Sequence, residues 1–493
     1  MYNKLTFLLL WLLAATVSLV SCSSTRSHEI AVAQPQRQTS GCIIIDKSGQ
    51  TFINENKIVV GLGGEDYSFK RATTIIKGKG RELEVVRDCS AIAAIRLNGD
   101  EQDTLIKVNN VTVINRDTIE IHTKALVDKY RHQIKTTTNT DRPYEYLRFI
   151  GMTSEGEGNR LINEGVIRIF FDHDPTADFR VYGFGICGNA NSAFINRGKI
   201  EFLGKGSPLT RMRGMGTMAG NVSFVNDGTI VIDVEMSEDA RMITSGGNYN
   251  DIINNGVMKG RSSGSLLGMT RYGDSHIVNN GTIDLTVARM PDGFEPVLAN
   301  SEKITCAFFE MLNTGRTHIP PMNNRGTVSI TLDDVSDPNW CGTGMYVGMV
   351  KPCDANMTIH NDGIILLNEK GNAPRHLMSE AYFVNRTPGG SPINIAVGHW
   401  RTRLHDFKSG PKLFCAKGEA SIDLGGAKIS FMLGDNPTSA CDVSHESLLQ
   451  RAGNTDRPII VTGYDKIHFS AADNDYMINR NQSNKTITLT KQN

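Results

Sequence analysis

The sequence predicts an all-β chain wound as a β-solenoid. Three observations carry that prediction. A short pattern, apolar–Asn–x–Gly–x–apolar–x–apolar, recurs around Asn163, Asn196, Asn226, Asn254, Asn279, Asn324 and Asn361. Successive copies lie 33, 30, 28, 25, 45 and 37 residues apart. Between them the chain holds short alternating apolar runs and turn residues, with no sustained helical periodicity. A period of that length built from short strands packs economically if each copy is one coil and the coils stack about 4.8 Å apart.

The chain opens with Lys4 and an apolar run from Leu5 to Val20. That run is shorter than the ~20 residues of a membrane span and has the shape of a secretory signal. From Ser23 to Gly41 the composition is Ser, Thr, Gln, Arg and Pro with few apolar residues, which reads as a flexible tether. The expected division is therefore 1–21 leader, 22–41 tether, 42–412 solenoid, and 413–493 further coils and a β cap.

Composition excludes some partners. With 52 basic and 52 acidic residues the formal charge is zero, so no field draws in nucleic acid. Eight of the nine cysteines follow Cys22, which permits up to four disulfides, Cys341–Cys353 and Cys415–Cys441 being close in sequence. No pair has C-x-x-C spacing, and neither a metal nor a cofactor is expected.

Taken in order, Phe52–Val60 and Val113–Ile121 are degenerate copies with Asn56 and Asp117 at the Gly position. Leu83–Val86 and Ile92–Leu97 read as strands of an intermediate turn. In Thr123–Lys135, Leu126, Val127, Tyr130 and Ile134 fall at helical spacing, with Thr123 placed to cap the first turn. From Gly151 to Lys370 the repeat is regular. Each anchor Asn should point inward and hydrogen-bond the Asn of the coils above and below. The glycine two residues on (Gly165, Gly198, Gly228, Gly256, Gly281, Gly326, Gly363) should supply positive φ for a bend. Ile167/Ile169, Ile200/Phe202, Ile230/Ile232, Ile283/Leu285, Val328/Ile330 and Ile365/Leu367 should line the core. A second landmark (Gly151-Met152, Gly185-Ile186, Gly214-Met215, Gly268-Met269, Gly348-Met349) marks at least one more strand per coil. Across Gly425-Gly426, Ala420–Leu433 reads as a hairpin or a solenoid corner. The repeat is interrupted at Thr123–Thr140, Ala288–Pro321 and Pro374–Lys412, where specificity would reside.

Two resemblances follow from these residues. Leu19-Val20-Ser21-Cys22 resembles the lipobox of bacterial lipoproteins, which implies cleavage before Cys22 and acylation, palmitate included, at that residue. Ser23-Ser24, with no Asp after the cysteine, implies the outer membrane. The N-x-G-x-I-x-I copies over Ile53–Lys370 resemble the right-handed parallel β-helix passengers of bacterial autotransporters and haemagglutinin-like adhesins. That likeness implies a non-enzymatic adhesion or surface-interaction protein, exposed at the cell surface, whose partners are the membrane through its lipid and a glycan or extracellular protein. No membrane barrel follows the solenoid in this sequence, so anchoring would fall to the lipid.

Solenoids of this fold also include polysaccharide lyases and hydrolases, which defines the alternative: a glycan-degrading or glycan-binding protein. Asp333, Asp334 and Asp337 follow a core strand and precede Trp340, the makings of an acidic, sugar-stacking cleft. A solvated loop ending a strand has the same composition. On a strand, His399, Arg401, Arg403 and His405 would share one face and Trp400 the other, suited to gripping an anionic sugar but equally to a solvated exterior. No ordered catalytic set of pectin-type hydrolases is readable, and no catalytic residue is assigned. Arg211-Met212-Arg213 reads as a solvated corner.

Overall fold

Each repeat closes one turn of a parallel β-helix, and each regular turn contributes three strands rather than two. The structure is a computed structural model. It describes residues 42–62, 74–78, 81–85, 89–97, 107–131, 146–176, 179–272, 274–295, 304–312, 320 and 322–333, with 37–39 and the strand segments between 345 and 491. A representative coil runs through Tyr146–Ser154, Arg160–Asn163 and Val166–Phe171. The next repeats it as Arg180–Gly188, Ala193–Asn196 and Lys199–Gly206. Equivalent strands stack in register into sheets 1, 2 and 3. Sheets 2 and 3 each hold 12 strands, so the described chain makes twelve coils, and sheet 1 holds 10 strands. At about 4.8 Å per coil the rod is roughly 53 Å long.

Register follows the hydrophobic pattern. Ile167 pairs with Ile200 and Ile169 with Phe202, and Ile200 and Phe202 pair in turn with Ile230 and Ile232. All six are buried, as are Ile283, Leu285, Val328 and Ile330 in the same two columns. Ile365 and Leu367 continue the columns in the backbone register. Where Gly260 stands in the second column, a Cβ would meet Met242 Cε at 2.6 Å, so two neighbouring side chains fill the gap.

The asparagines form the expected ladder. Each Nδ2 donates to the next Oδ1: Asn54 to Asn115 at 2.8 Å, then Asn163, Asn196, Asn226, Asn254, Asn279 and Asn324 at 2.7–2.9 Å. Asn361 holds the next position in the backbone register. These amides are essentially inaccessible to water, so the ladder satisfies polar groups that the interior would otherwise strand.

The repeat glycines do a different job from the one expected. Gly165, Gly198, Gly228, Gly256, Gly281 and Gly326 are absent from the positive-φ residues. They are required by stacking. A Cβ on Gly198 would lie 2.0 Å from the Gly165 carbonyl oxygen, and one on Gly228 2.1 Å from that of Gly198. Six of the ten left-handed residues described sit at another corner, between sheets 1 and 2: Gly49, Asn110, Gly158, Asn191, Asn221 and Tyr249, with φ of 55–73°. A second polar column backs that corner. Asn159 N–H donates to Ser192 Oγ at 3.3 Å and Asn250 N–H to Ser275 Oγ at 3.1 Å, all four residues being buried.

Other elements depart from expectation in detail. The helix is α1, Lys124–Arg131, with Leu126 and Val127 buried. Thr123 begins it through its carbonyl, but Asp172 of the next coil supplies the cap: its Oδ1 accepts the Lys124 N–H at 2.7 Å. Arg81–Val85 pairs antiparallel with Thr74–Gly78 in a side hairpin, not within a coil. Arg37–Thr39, assigned to the tether, pairs antiparallel with Cys42–Ile45. Met349 takes the register place of Gly268, so Gly348-Met349 matches the second landmark one residue out of step. Ala420–Asp423 and Lys428–Leu433 join different parallel sheets, which makes Gly425-Gly426 a corner. Ala440–Asp442, Tyr476–Asn481 and Thr486–Lys491 form a three-stranded antiparallel sheet, the β cap.

Candidate functional site

The three outer faces differ in what they leave available. On sheet 1 most outward charges join an ion-pair network whose carboxylates are buried and whose guanidiniums are nearly so. Glu238 accepts two-pronged hydrogen bonds from Arg180 (2.8 and 2.7 Å) and Arg211 (2.7 and 2.6 Å). Arg213 Nη2 lies 2.6 Å from Asp239 Oδ2, and Arg241 bonds both Asp239 and Glu310. Arg211 also donates to Tyr182 Oη at 2.7 Å and lies over its ring. Burial would push the Asp239 carboxyl up, but Arg213 and Arg241 hold it well below the usual carboxylate range. Arg211 and Arg213 are thus part of a buried strap across coils, not the solvated corner the sequence suggested. Removing one partner from such a pair is costly, because the other charge is left buried.

On sheet 3 the charges are more accessible and again matched. Glu120 Oε1 lies 2.9 Å from His122 Nε2, and the opposite ring nitrogen is 3.5 Å from Asp172. The imidazole stacks on Phe170 with centroids 4.7 Å apart. The bond to His122, aided by Lys57, lowers the Glu120 carboxyl below its ordinary value. Glu201 is lowered too: Lys199 and Arg168 outweigh the effect of its burial. A chain of alternating charge like this ties coils together around Glu120 and Glu201, while Asp233 and Glu235 of the same sheet are exposed.

Sheet 2 is different. Adjacent residues of a strand face opposite sides, so the residue before each inward Asn points out. Those residues are Ile53, Ile114, Ile162, Ile195, Val225, Ile253 and Val278, paired coil to coil in one column. The result is an unbroken stripe of β-branched aliphatic side chains, seven coils or about 29 Å long, buried at Ile162 and Ile195 and half-buried at the other five positions. Thr51, Thr112, Arg160, Ala193, Ser223, Asp251 and His276 border it on one side. The other border alternates in charge: Arg116 bonds Glu55 and Glu164, Arg197 bonds Glu164, and Asp227, Asn255 and Asn280 are hydrogen-bonded in sequence.

The residues singled out from the sequence fall elsewhere. Asp333 ends a sheet-3 strand, and Arg261 from two coils earlier lies 3.3 Å from its Oδ2. His399–Leu404 is a strand of the same sheet, two strands further on, with His399 beside Ile364 and Trp400 in register with Ile365. Asp334, Asp337, Trp340, His405, Cys22 and Gly363 lie outside the described residues. For His399, Trp400, Arg401 and Arg403 only the strand is described. Cys341 and Cys353 are likewise outside. Cys187 and Cys306 are free thiols, both pushed up by burial and so poorly nucleophilic.

Among the described residues no group of three His, Cys, Asp or Glu could hold a metal ion, and no helix is long and apolar enough to cross a membrane. No family model, curated protein or solved structure matches the chain.

Proposed function

We propose that this protein is a lipid-anchored rod of the bacterial cell envelope that works by surface interaction, in adhesion, without catalysing a reaction. The observation that supports this most is the sheet-2 stripe. It is a long, outward-facing apolar column on a scaffold many of whose charges are paired within the chain. A contiguous, partly accessible apolar column of that regularity fits a protein–protein contact. The tether leads directly into the first coil at Cys42, so an acylated Cys22 would hold one end of the rod. Counting from that coil, the strands Thr282–Ala288, Ile304–Leu312, Ile393–Ala396 and His399–Leu404, which fall at the interruptions of the repeat, lie roughly 30–45 Å along it.

The glycan-cleaving alternative needs Asp333 as an available acid or nucleophile, and the Arg261 partner works against that. An exposed pair of this kind is weak, so the argument concerns availability more than stability.

Cell fractionation of Cys22→Ala against wild type tests the anchor. The substituted chain is expected to leave the membrane fraction, and unchanged retention would refute acylation. Protease treatment of intact cells, with a glycan and extracellular-matrix binding array, tests the role. Cleavage together with binding of a protein or glycan ligand supports adhesion. A chain fully protected in intact cells overturns it.

A further inference from the structure

The stripe on sheet 2 and its two borders are complementary to themselves when one copy is turned end over end. Count coils by their sheet-2 strands, from Thr51–Asn54 as the first to Met322–Asn324 as the eighth. Lay two copies face to face about a two-fold axis that lies in the contact plane and crosses the rods. The first coil of each then meets the eighth of the other, and the fourth meets the fifth. At the centre Ile195, buried among its neighbours, meets the half-buried Val225. On one border Glu55 faces Arg325 and Arg197 faces Asp227; on the other, Arg160 faces Asp251. The remaining charged border residues meet amides or hydroxyls, and among the described residues no like charges are opposed. Arg160 and Asp251 are exposed, and among the described residues neither has an ion-pair partner in its own chain.

We infer that this face binds a second copy of the chain, antiparallel, with Arg160 of each copy paired to Asp251 of the other. A parallel pairing about an axis along the rods is less well matched. It sets Arg160 against Glu164, but Arg197 against Ala193 and Asp227 against Ser223. The contact is isologous, so each favourable pair is made twice. Its footprint is about 34 Å by about 14 Å, on the order of 1,000 Å² in total over both copies. That is the lower limit for a specific interface and predicts a dimer that dissociates in the micromolar range. The inference rests on the surface alone and is independent of the lipid anchor and of any ligand.

Sedimentation velocity on the Cys22→Ala chain, from about 1 to 100 μM, tests it with no acyl group present. Wild-type sequence at the other positions should show concentration-dependent dimers. Arg160→Asp and Asp251→Arg should each weaken dimerisation about tenfold or more, since each turns two attractions into two repulsions. The double variant, Arg160→Asp with Asp251→Arg, should recover to within about threefold of the parent, because the pair is only exchanged. Both positions are exposed, and circular dichroism would confirm that the variants fold. A parent chain that stays monomeric at 100 μM overturns the inference. So do single reversals without effect, or a double variant no better than the singles. Weakening by Arg160→Asp alone, with Asp251→Arg silent, would overturn the antiparallel arrangement in favour of the parallel one.

Discussion

Replacing Asn226 by Ala should cost about 3–5 kcal/mol, far more than a typical polar-to-alanine change. Asn226 is fully buried; it accepts from Asn196 Nδ2 at 2.7 Å and donates to Asn254 Oδ1 at 2.8 Å. Two ladder bonds disappear, each worth about 1 kcal/mol net. Asn196 keeps a second acceptor, the Thr229 carbonyl at 3.1 Å, but Asn254 Oδ1 loses its ladder donor in a site closed to water. Stranding that oxygen adds about 1–3 kcal/mol. Asn54 begins the described ladder with a single rung, beside a longer bond accepted from the Asn56 N–H at 3.3 Å, so Asn54→Ala should cost roughly 1 kcal/mol less. Asn226→Asp should be worse than Ala at neutral pH, because a carboxylate would face the Asn254 oxygen without a proton to offer. Urea unfolding followed by circular dichroism reads the stabilities, with hydrogen exchange reporting which coils open, since a solenoid can unfold in sections. Equal costs for Asn226→Ala and Asn54→Ala, or a cost below about 1 kcal/mol at Asn226, would refute the view that directional amide bonding holds this corner.

Two further outcomes follow from the same structure. Gly228→Ala should destabilise by about 3 kcal/mol or more, as its Cβ would sit 2.1 Å from a backbone oxygen, whereas Gly216→Ala, with nothing nearer than 3.6 Å, should stay within about 1 kcal/mol of wild type; thermal melts of the pair would expose an error if they shift alike. Asp239 is held below its ordinary value of 3.8, so its contribution is present above that pH and fades as the pH falls below about 4. Asp239→Asn should therefore be less stable than wild type at pH 7, with the gap narrowing in acid; a gap that stays constant from pH 7 to pH 2 would contradict the pairing.

What could be read from the sequence, and what could not, separates along a physical line. The Asn ladder and the two core columns were legible because each coil states them locally, as an Asn before a period-two apolar run. The role of Gly198 was not, because nothing within one copy tells how near the Gly165 carbonyl of the previous coil will come. The strap of Arg180, Arg211, Arg213 and Arg241 was hidden for a similar reason. Its partners, Glu238, Asp239 and Glu310, come mostly from other coils, and only the register brings them together. The second polar corner escaped because Asn159, Ser192, Asn250 and Ser275 share a place but not a residue type. The sheet-2 stripe is the instructive case. Its residues are the first letter of the repeat, and the signal for their orientation was present throughout: if Asn163 points in, Ile162 on the same strand points out. They form the apolar floor of that face, half-buried or buried, between exposed motif residues such as Glu164, Arg197 and Asp227. The same few residues per coil therefore specify both the rod and the surface it offers, and a substitution such as Val225→Lys, at a half-buried position, would separate the two roles, keeping the Asn226 rung while charging the centre of the stripe.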